Sequence, residues 1–328
     1  LHEKLGGVMR RAALFALAAA AFLGAAQAQT PPQNWPLRTV RVIVPLSAGA
    51  ATDVTARLYA EGLAARWHQP VVVENRPGPD ALNAVNAFVE AADKHTLLFS
   101  FGGPVTINPF LYEKLSYDPA RDLVPIVLGT DSYLAIAVNA ALNINSLGEL
   151  QTRAKAEPGK LNWAATPGMP QFGFAEFVKA AGVSMTYLPY REFGPALQDL
   201  AEGRIAAVST GLLPLLGIAQ TGKIKILAVT NRQRSAAAPQ VPTAIESGFP
   251  DVIGEGFQGF FGWRDIPAAL RDRIAADVRA VAADLPAEKL AGMGQIVRAG
   301  TPADFIATID DQRRRVRAVM ESGLIEKR

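Results

Sequence analysis

The 328-residue chain has no cysteine. That removes disulfides, thiolate nucleophiles, cysteine-bound metals and a lipid-modified N-terminal cysteine. Histidine is nearly absent too, with only His2, His68 and His95. His2 precedes the body of the chain. His68, beside Trp67 in a helix-to-strand turn, and His95, in Asp93-Lys94-His95 before a strand, are both expected at the surface. There is no Gly-x-Ser-x-Gly elbow, no zinc-ligand spacing and no phosphate-loop lysine. Paired acids such as Asp310-Asp311 fall on a helix face. The residues of a secreted hydrolase or isomerase are therefore missing. Neither catalysis nor a metal or cofactor is expected.

A run long enough to cross a membrane is also lacking. The apolar stretch 12–24 is short of the roughly 20 residues a span requires. With Met9-Arg10-Arg11 before it and Ala26-Gln27-Ala28 after it, it reads as a secretory signal cleaved after Ala28. Residues 1–8 read as an upstream extension, with Met9 as the start. This leader carries Lys4, Arg10 and Arg11 against Glu3, so without it the formal charge falls from +3 to +1. A body so close to neutral gives no reason to expect nucleic acid or an anionic membrane as partner. The run Arg313-Arg314-Arg315 follows Asp310 and Asp311 at helical spacing and is expected to be a paired, solvated face. An exported protein of the bacterial periplasm is expected.

What is present is alternation. Apolar, β-branched runs at 40–44, 71–73 and 96–101 read as strands, separated by helical patterns at 53–67 and 81–92. Such βαβ order predicts parallel pairing with helices on both faces. A second series follows, with strands at 133–138, 161–165, 184–188, 205–209 and 224–229. Helices at 146–156, 171–181, 193–202 and 212–221 accompany them. Gly159, Gly182, Gly203 and Gly222 stand where these helices stop, as left-handed caps do. After an apolar run at 256–263 come two long helical patterns. The last opens at Thr301-Pro302-Ala303-Asp304, with a capping hydroxyl, a first-turn proline and an acid near the positive end of the dipole.

Several short stretches occur in a distinctive order: Trp35-Pro36, Val42-Ile43-Val44-Pro45, Ala48-Gly49, Thr52-Asp53, Ala56-Arg57-Leu58, then Val72-Val73-Glu74-Asn75-Arg76-Pro77-Gly78 and Ile107-Asn108-Pro109. Glu157-Pro158-Gly159-Lys160-Leu161-Asn162, Pro189-Tyr190, Leu227-Ala228-Val229-Thr230 and Val241-Pro242-Thr243 follow. In that order they resemble the Bug (TctC-like) family, periplasmic receptors of tripartite tricarboxylate transporters. The resemblance covers nearly all of the chain after the leader. It implies an α/β, two-lobed, periplasmic-binding-protein-like clamp, each lobe a mixed or mostly parallel sheet with flanking helices. Lobe 1 would comprise 29–131 plus 254–328 and lobe 2 would comprise 132–253, with crossings near 131–138 and 253–261 as the hinge. The implied role is capture of a small organic carboxylate by a monomer that serves the membrane subunits of such a transporter. Presentation to a membrane sensor kinase is the alternative.

The candidate site follows from where strands end. The loop Ser47, Ala48, Gly49, Ala50, Ala51 leads from a strand to Thr52 and Asp53 at a helix start, the crevice where open α/β sheets bind ligands. First-turn amides and the dipole favour an anion there; a plain helix cap at Thr52-Asp53 is the alternative. One helix terminus contributes about 0.3–1 kcal/mol toward an anion, ~2 when partly buried, whereas micromolar affinity needs about 8 kcal/mol. A second loop must therefore close over the ligand. Thr166, Pro167, Gly168, Met169 and Gln171, again between a strand and a helix, fit that part. By the same strand-end rule Gly102, Gly103 and Thr106, Tyr190 with Arg191, and Ser209 with Thr210 belong to the crevice, and Phe257 to an apolar wall. Core or capping duty is the competing reading for each. The resemblance implies that the first two loops act as pincers. Departures from the family pattern stand at Ala50 and Ala51, where glycine is usual, at Pro79-Asp80-Ala81-Leu82, and at Ser209 or Thr210, where an aspartate is common. Without that acid, a plain mono- or dicarboxylate is expected over an amino acid.

Overall fold

The computed structural model describes residues 35–190 and 193–328. The leader with its cleavage point, and Arg191, lie outside the described residues. Among the described residues eleven strands form two sheets. Strands β1 (Val40–Val44), β2 (Val71–Asn75), β3 (Thr96–Phe101) and β4 (Val124–Ser132) begin the first. Then β5 (Leu134–Asn139), β6 (Asn162–Ala165), β7 (Thr186–Tyr187), β8 (Ala207–Gly211) and β9 (Ile224–Val229) make the second. The chain returns to the first sheet with β10 (Gly256–Gly262) and β11 (Gln295–Val297). The orders are β11-β4-β10-β3-β1-β2 and β7-β6-β8-β5-β9.

The sheets are mixed. In the first, β1, β2 and β3 pair in parallel as the alternation predicts, but β10 runs antiparallel to β3 and β4, and β11 antiparallel to β4. In the second, β6 pairs in parallel with β7 and β8, while β5 is antiparallel to β8 and β9. Long returning segments, rather than local βαβ units, deliver the antiparallel strands. Burial drives both layers. Val40, Val42 and Val44 on one face have no exposed surface and Ile43 on the other is 1% exposed, as expected of a strand covered on both faces. Behind them Tyr59, Phe99 and Phe260 pack with ring centroids 4.7–6.0 Å apart, and the Tyr59 hydroxyl donates to the Gly129 carbonyl at 2.8 Å. In the second layer Trp163 stacks on Phe174 at 4.4 Å.

The last helix, Pro302–Glu321, joins the two. Thr301 and Asp304 form the expected capping box. Phe305 and Ile309 belong to the first core, while Val316 and Val319 belong to the second with Ile107, Leu111 and Phe177. Asp311 pairs with Arg314 and Arg315, so the basic run is a paired face, although Arg314 uses Asp311 rather than Asp310. His68 is exposed. His95, expected at the surface, is instead buried: it lies against Trp35, and its Nε2 accepts from the Leu37 amide at 3.1 Å. No helix among the described residues is long and apolar enough to cross a membrane.

Two crossings connect the sheets. Tyr133 alone separates β4 from β5, and the second crossing runs back through Gly254 into β10. Asn231 ties them: its side-chain oxygen accepts from the Leu134 amide at 3.0 Å and its Nδ2 donates to the Ser132 carbonyl at 3.1 Å. Thr230 donates its hydroxyl to the Gly254 carbonyl at 2.7 Å.

Candidate functional site

Between the sheets lies a cleft of about 400 Å3. One wall carries Leu46, Asp80, Phe101, Gly102, Gly103 and Asn108, the floor Ser132, Leu134, Phe257, Gln258 and Gln312, and the facing wall Thr166, Pro167, Gly168, Met169 and Pro170. It thus gathers strand-end loops of both sheets. Of the residues expected from sequence, Gly102, Gly103, Thr166, Pro167, Gly168, Met169 and Phe257 line it.

The first loop meets the cleft differently from the expectation. Leu46 lines it; Ser47, Ala48 and Gly49 are exposed beside it, and Ala50 and Ala51 half-buried. The helix begins at Ala51, with Ala50 in the capping position and no side-chain cap. Thr52 and Asp53 are therefore first-turn residues, not caps, and both are buried. Asp53 turns inward. Its carboxylate accepts from the Gly49 amide at 2.9 Å, from Asn75 at 2.9 Å and from Arg57 at 3.1 Å. Burial alone would raise its pKa, but the bonds from Arg57, Gly49 and Asn75 and the Arg57 charge hold it below the ordinary value. Asp53 thus clamps the loop, and the Gly49 amide is already occupied. The amides of Ala51, Thr52 and Asp53 have no acceptor within the helix.

The second loop is built as the sequence suggests. Gly168 has φ +96°, a conformation that side chains resist, and space for a Cβ is open there. Backbone geometry is the reason for this glycine. Helix Met169–Ala181 follows, and its Gln171 and Phe172 amides bond back to the Gly168 carbonyl. Gln171 is half-buried outside the cleft wall. Thr166 and Thr210 bring their hydroxyl oxygens within 2.5 Å, and the Thr166 amide donates to the Ser209 carbonyl at 3.1 Å. One hydroxyl hydrogen satisfies that contact, so the pair keeps a second for an outside acceptor. Ser209 and Thr210 are buried behind the loop, and the Ser209 hydroxyl has no partner. Tyr190 is outside the wall, donating to Asp199 at 2.5 Å.

Gly102 exists for space. A Cβ there would stand 2.5 Å from the Phe257 ring and 2.7 Å from Gln312 Oε1. Thr106 supports it from beneath, its hydroxyl donating to Gln312 Oε1 at 2.6 Å and lying 2.9 Å from the Gly102 carbonyl. Phe257 is held edge-on by Phe305 at 5.5 Å. The sequence reading missed Asp80, Asn108, Leu134, Gln258 and Gln312. Only Gln258 carried a usable signal, a lone amide within the apolar run 256–263. Gln312 was hidden among charges on a helix read as solvated.

Among the described residues no cluster of His, Asp or Glu is arranged to hold a metal. The walls offer apolar contact, hydroxyls, amides and one carboxylate, Asp80, which is paired with Arg328 at 2.7 Å. Such a site is built to enclose a small polar-ended molecule.

Comparison with known proteins agrees in fold and length. The family model for the tripartite tricarboxylate transporter family receptor matches residues 55–324. A UPF0065 protein of Bordetella bronchiseptica is 30% identical over 330 residues, covering 99% of this chain and 96% of that protein. Protein BugT of Bordetella pertussis is 34% identical over 224 residues, 67% of this chain and 69% of that one. Among solved structures, Rhodopseudomonas palustris Rpa4515 with adipate superposes with a TM-score of 0.73 at 26% identity, covering 90% of this chain and all of that one. MatC of the same organism, with bound malate, gives 0.70 at 26% identity, covering 87% and 99%.

Proposed function

Because the chain belongs to the tripartite tricarboxylate transporter receptors, a family of periplasmic solute-binding proteins rather than enzymes, we propose that it captures a small organic mono- or dicarboxylate in the cleft and delivers it to the membrane subunits of such a transporter. The observation that carries this reading is the composition of the cleft, whose facing walls are strand-to-helix loops of two different sheets. Relatives of the same fold hold adipate and malate.

In this reading the bodies 29–131 with 254–328 and 132–253 rotate about Tyr133 and Gly254. Closure brings the first-turn amides beyond Leu46 and the hydroxyl pair Thr166–Thr210 onto the acid, which neither side retains alone. The Ser47–Asp53 loop contributes backbone rather than side chains. No bond is broken, and the mature protein, released after Ala28, acts as a monomer in the periplasm. A thermal-shift screen of residues 29–328 against small organic acids tests this. A ligand that binds the native state raises the melting temperature with concentration. A flat response across mono-, di- and hydroxycarboxylates contradicts the proposal.

A further inference from the structure

The polar side chains of the cleft wall differ in what they already hold. Gln312 is engaged at both ends, its Nε2 donating to the Glu255 carbonyl at 2.9 Å and its Oε1 accepting from Thr106 at 2.6 Å. Asn108 donates to the Asp80 carbonyl and to Tyr117. Asp80 holds Tyr112 and Arg328, and Thr166 holds Thr210. Gln258 lines the same cleft, is 5% exposed and has its Oε1 buried without a partner. Its amide makes no side-chain hydrogen bond among the described residues.

A buried amide left unengaged costs the protein its desolvation with no return. A leucine would fill the same volume at a strand position between Phe257 and Gly259. The register places Gln258 beside Phe101 on β3 and Thr130 on β4, where the cleft-facing end of the sheet begins. What remains to engage the amide is the occupant of the cleft.

We infer that Gln258 is a specificity-determining residue, its amide taking the hydrogen bond of a second polar group on the bound acid, a hydroxyl or a further carboxylate. This rests on the carboxylate reading above and sharpens it. The preferred ligand is then a hydroxy acid or dicarboxylate rather than a bare alkyl monocarboxylate. Gln312, of the same residue type in the same wall, has no such role because both its ends are committed.

Calorimetry of the full mature chain with matched acids tests this, using butanoate, 3-hydroxybutanoate, succinate and malate, and hexanoate with adipate. The wild type should prefer the acid bearing a second polar group to its parent. Gln258→Leu should weaken that acid about tenfold more than the parent monocarboxylate, the difference expected for one hydrogen bond to a ligand group. Gln258→Glu should weaken dicarboxylates more than hydroxy acids by like-charge repulsion. Cooperative thermal unfolding shows that both variants fold, Gln258→Glu melting below wild type because its carboxylate is buried without a partner. A wild type without the preference, or variants that keep the wild-type affinity ratios, overturns the role of Gln258 and leaves carboxylate capture standing. A wild type that binds none of the six overturns both.

Discussion

Glu176 lies on helix Met169–Ala181 against the second crossing. Its Oε2 is buried without a partner, and the Ile253 amide, which donates to the Asp251 carbonyl at 3.0 Å, also faces the carboxyl. Arg315 attracts it, while Asp251 and Asp311 repel it. Burial is the largest influence, and its pKa is pushed up from 4.5 to about 7. A folded value above the unfolded one means that the native state binds more protons between these limits. The stability Glu176 contributes is therefore fully present below about pH 4.5 and is lost as pH rises through about 7. The difference corresponds to about 3 kcal/mol. Glu176→Gln keeps an acceptor for Ile253 and removes the charge. Urea unfolding at pH 4, 6 and 8 should show the variant about 3 kcal/mol more stable than wild type at pH 8 and nearly equal at pH 4. A difference that is constant with pH, or largest at pH 4, refutes the reasoning.

Two other substitutions separate site from scaffold. Gly102→Ala places a methyl against Phe257 and Gln312; overpacking should cost about 1–3 kcal/mol in urea unfolding, and calorimetry should show a loss of acid affinity. Asp53→Asn removes the negative acceptor that clamps Gly49 and Arg57, at a cost of about 1.5–3 kcal/mol for bonds to a charged group. Since the pKa of Asp53 is lowered, its contribution is present at neutral pH and fades as pH falls through its folded value. Wild type and variant should converge in acid, and divergence there would contradict the clamp.

The alternation of strand and helix was legible because apolar runs ended at glycines with a positive φ, Gly159, Gly182, Gly203 and Gly222 among them. β4 was not legible as a separate strand. Residues 124–132 contain Pro125 and Gly129 and run into β5 with only Tyr133 between, and their pairing partners, β10 and β11, lie more than a hundred residues away. Nor is antiparallel pairing written in local pattern. The second loop was readable because Pro167 and Gly168 mark a turn between strand and helix. The first was readable in position but not in orientation, since nothing local tells whether an acid such as Asp53 caps, binds or turns back on its own loop. Gln312 and Asn108 reach the cleft only through tertiary packing, as does the buried seat of His95.

The central claim is that a small acid sits between strand-end loops of two bodies. Calorimetric titration of the mature protein with its best acid from the thermal screen, beside Gly102→Val, tests it most directly. Micromolar binding by the wild type, lost when the valine pushes Phe257 and Gln312 into the cleft while the fold is retained, is the predicted result. Undiminished binding by the folded variant would place the ligand elsewhere and contradict the account.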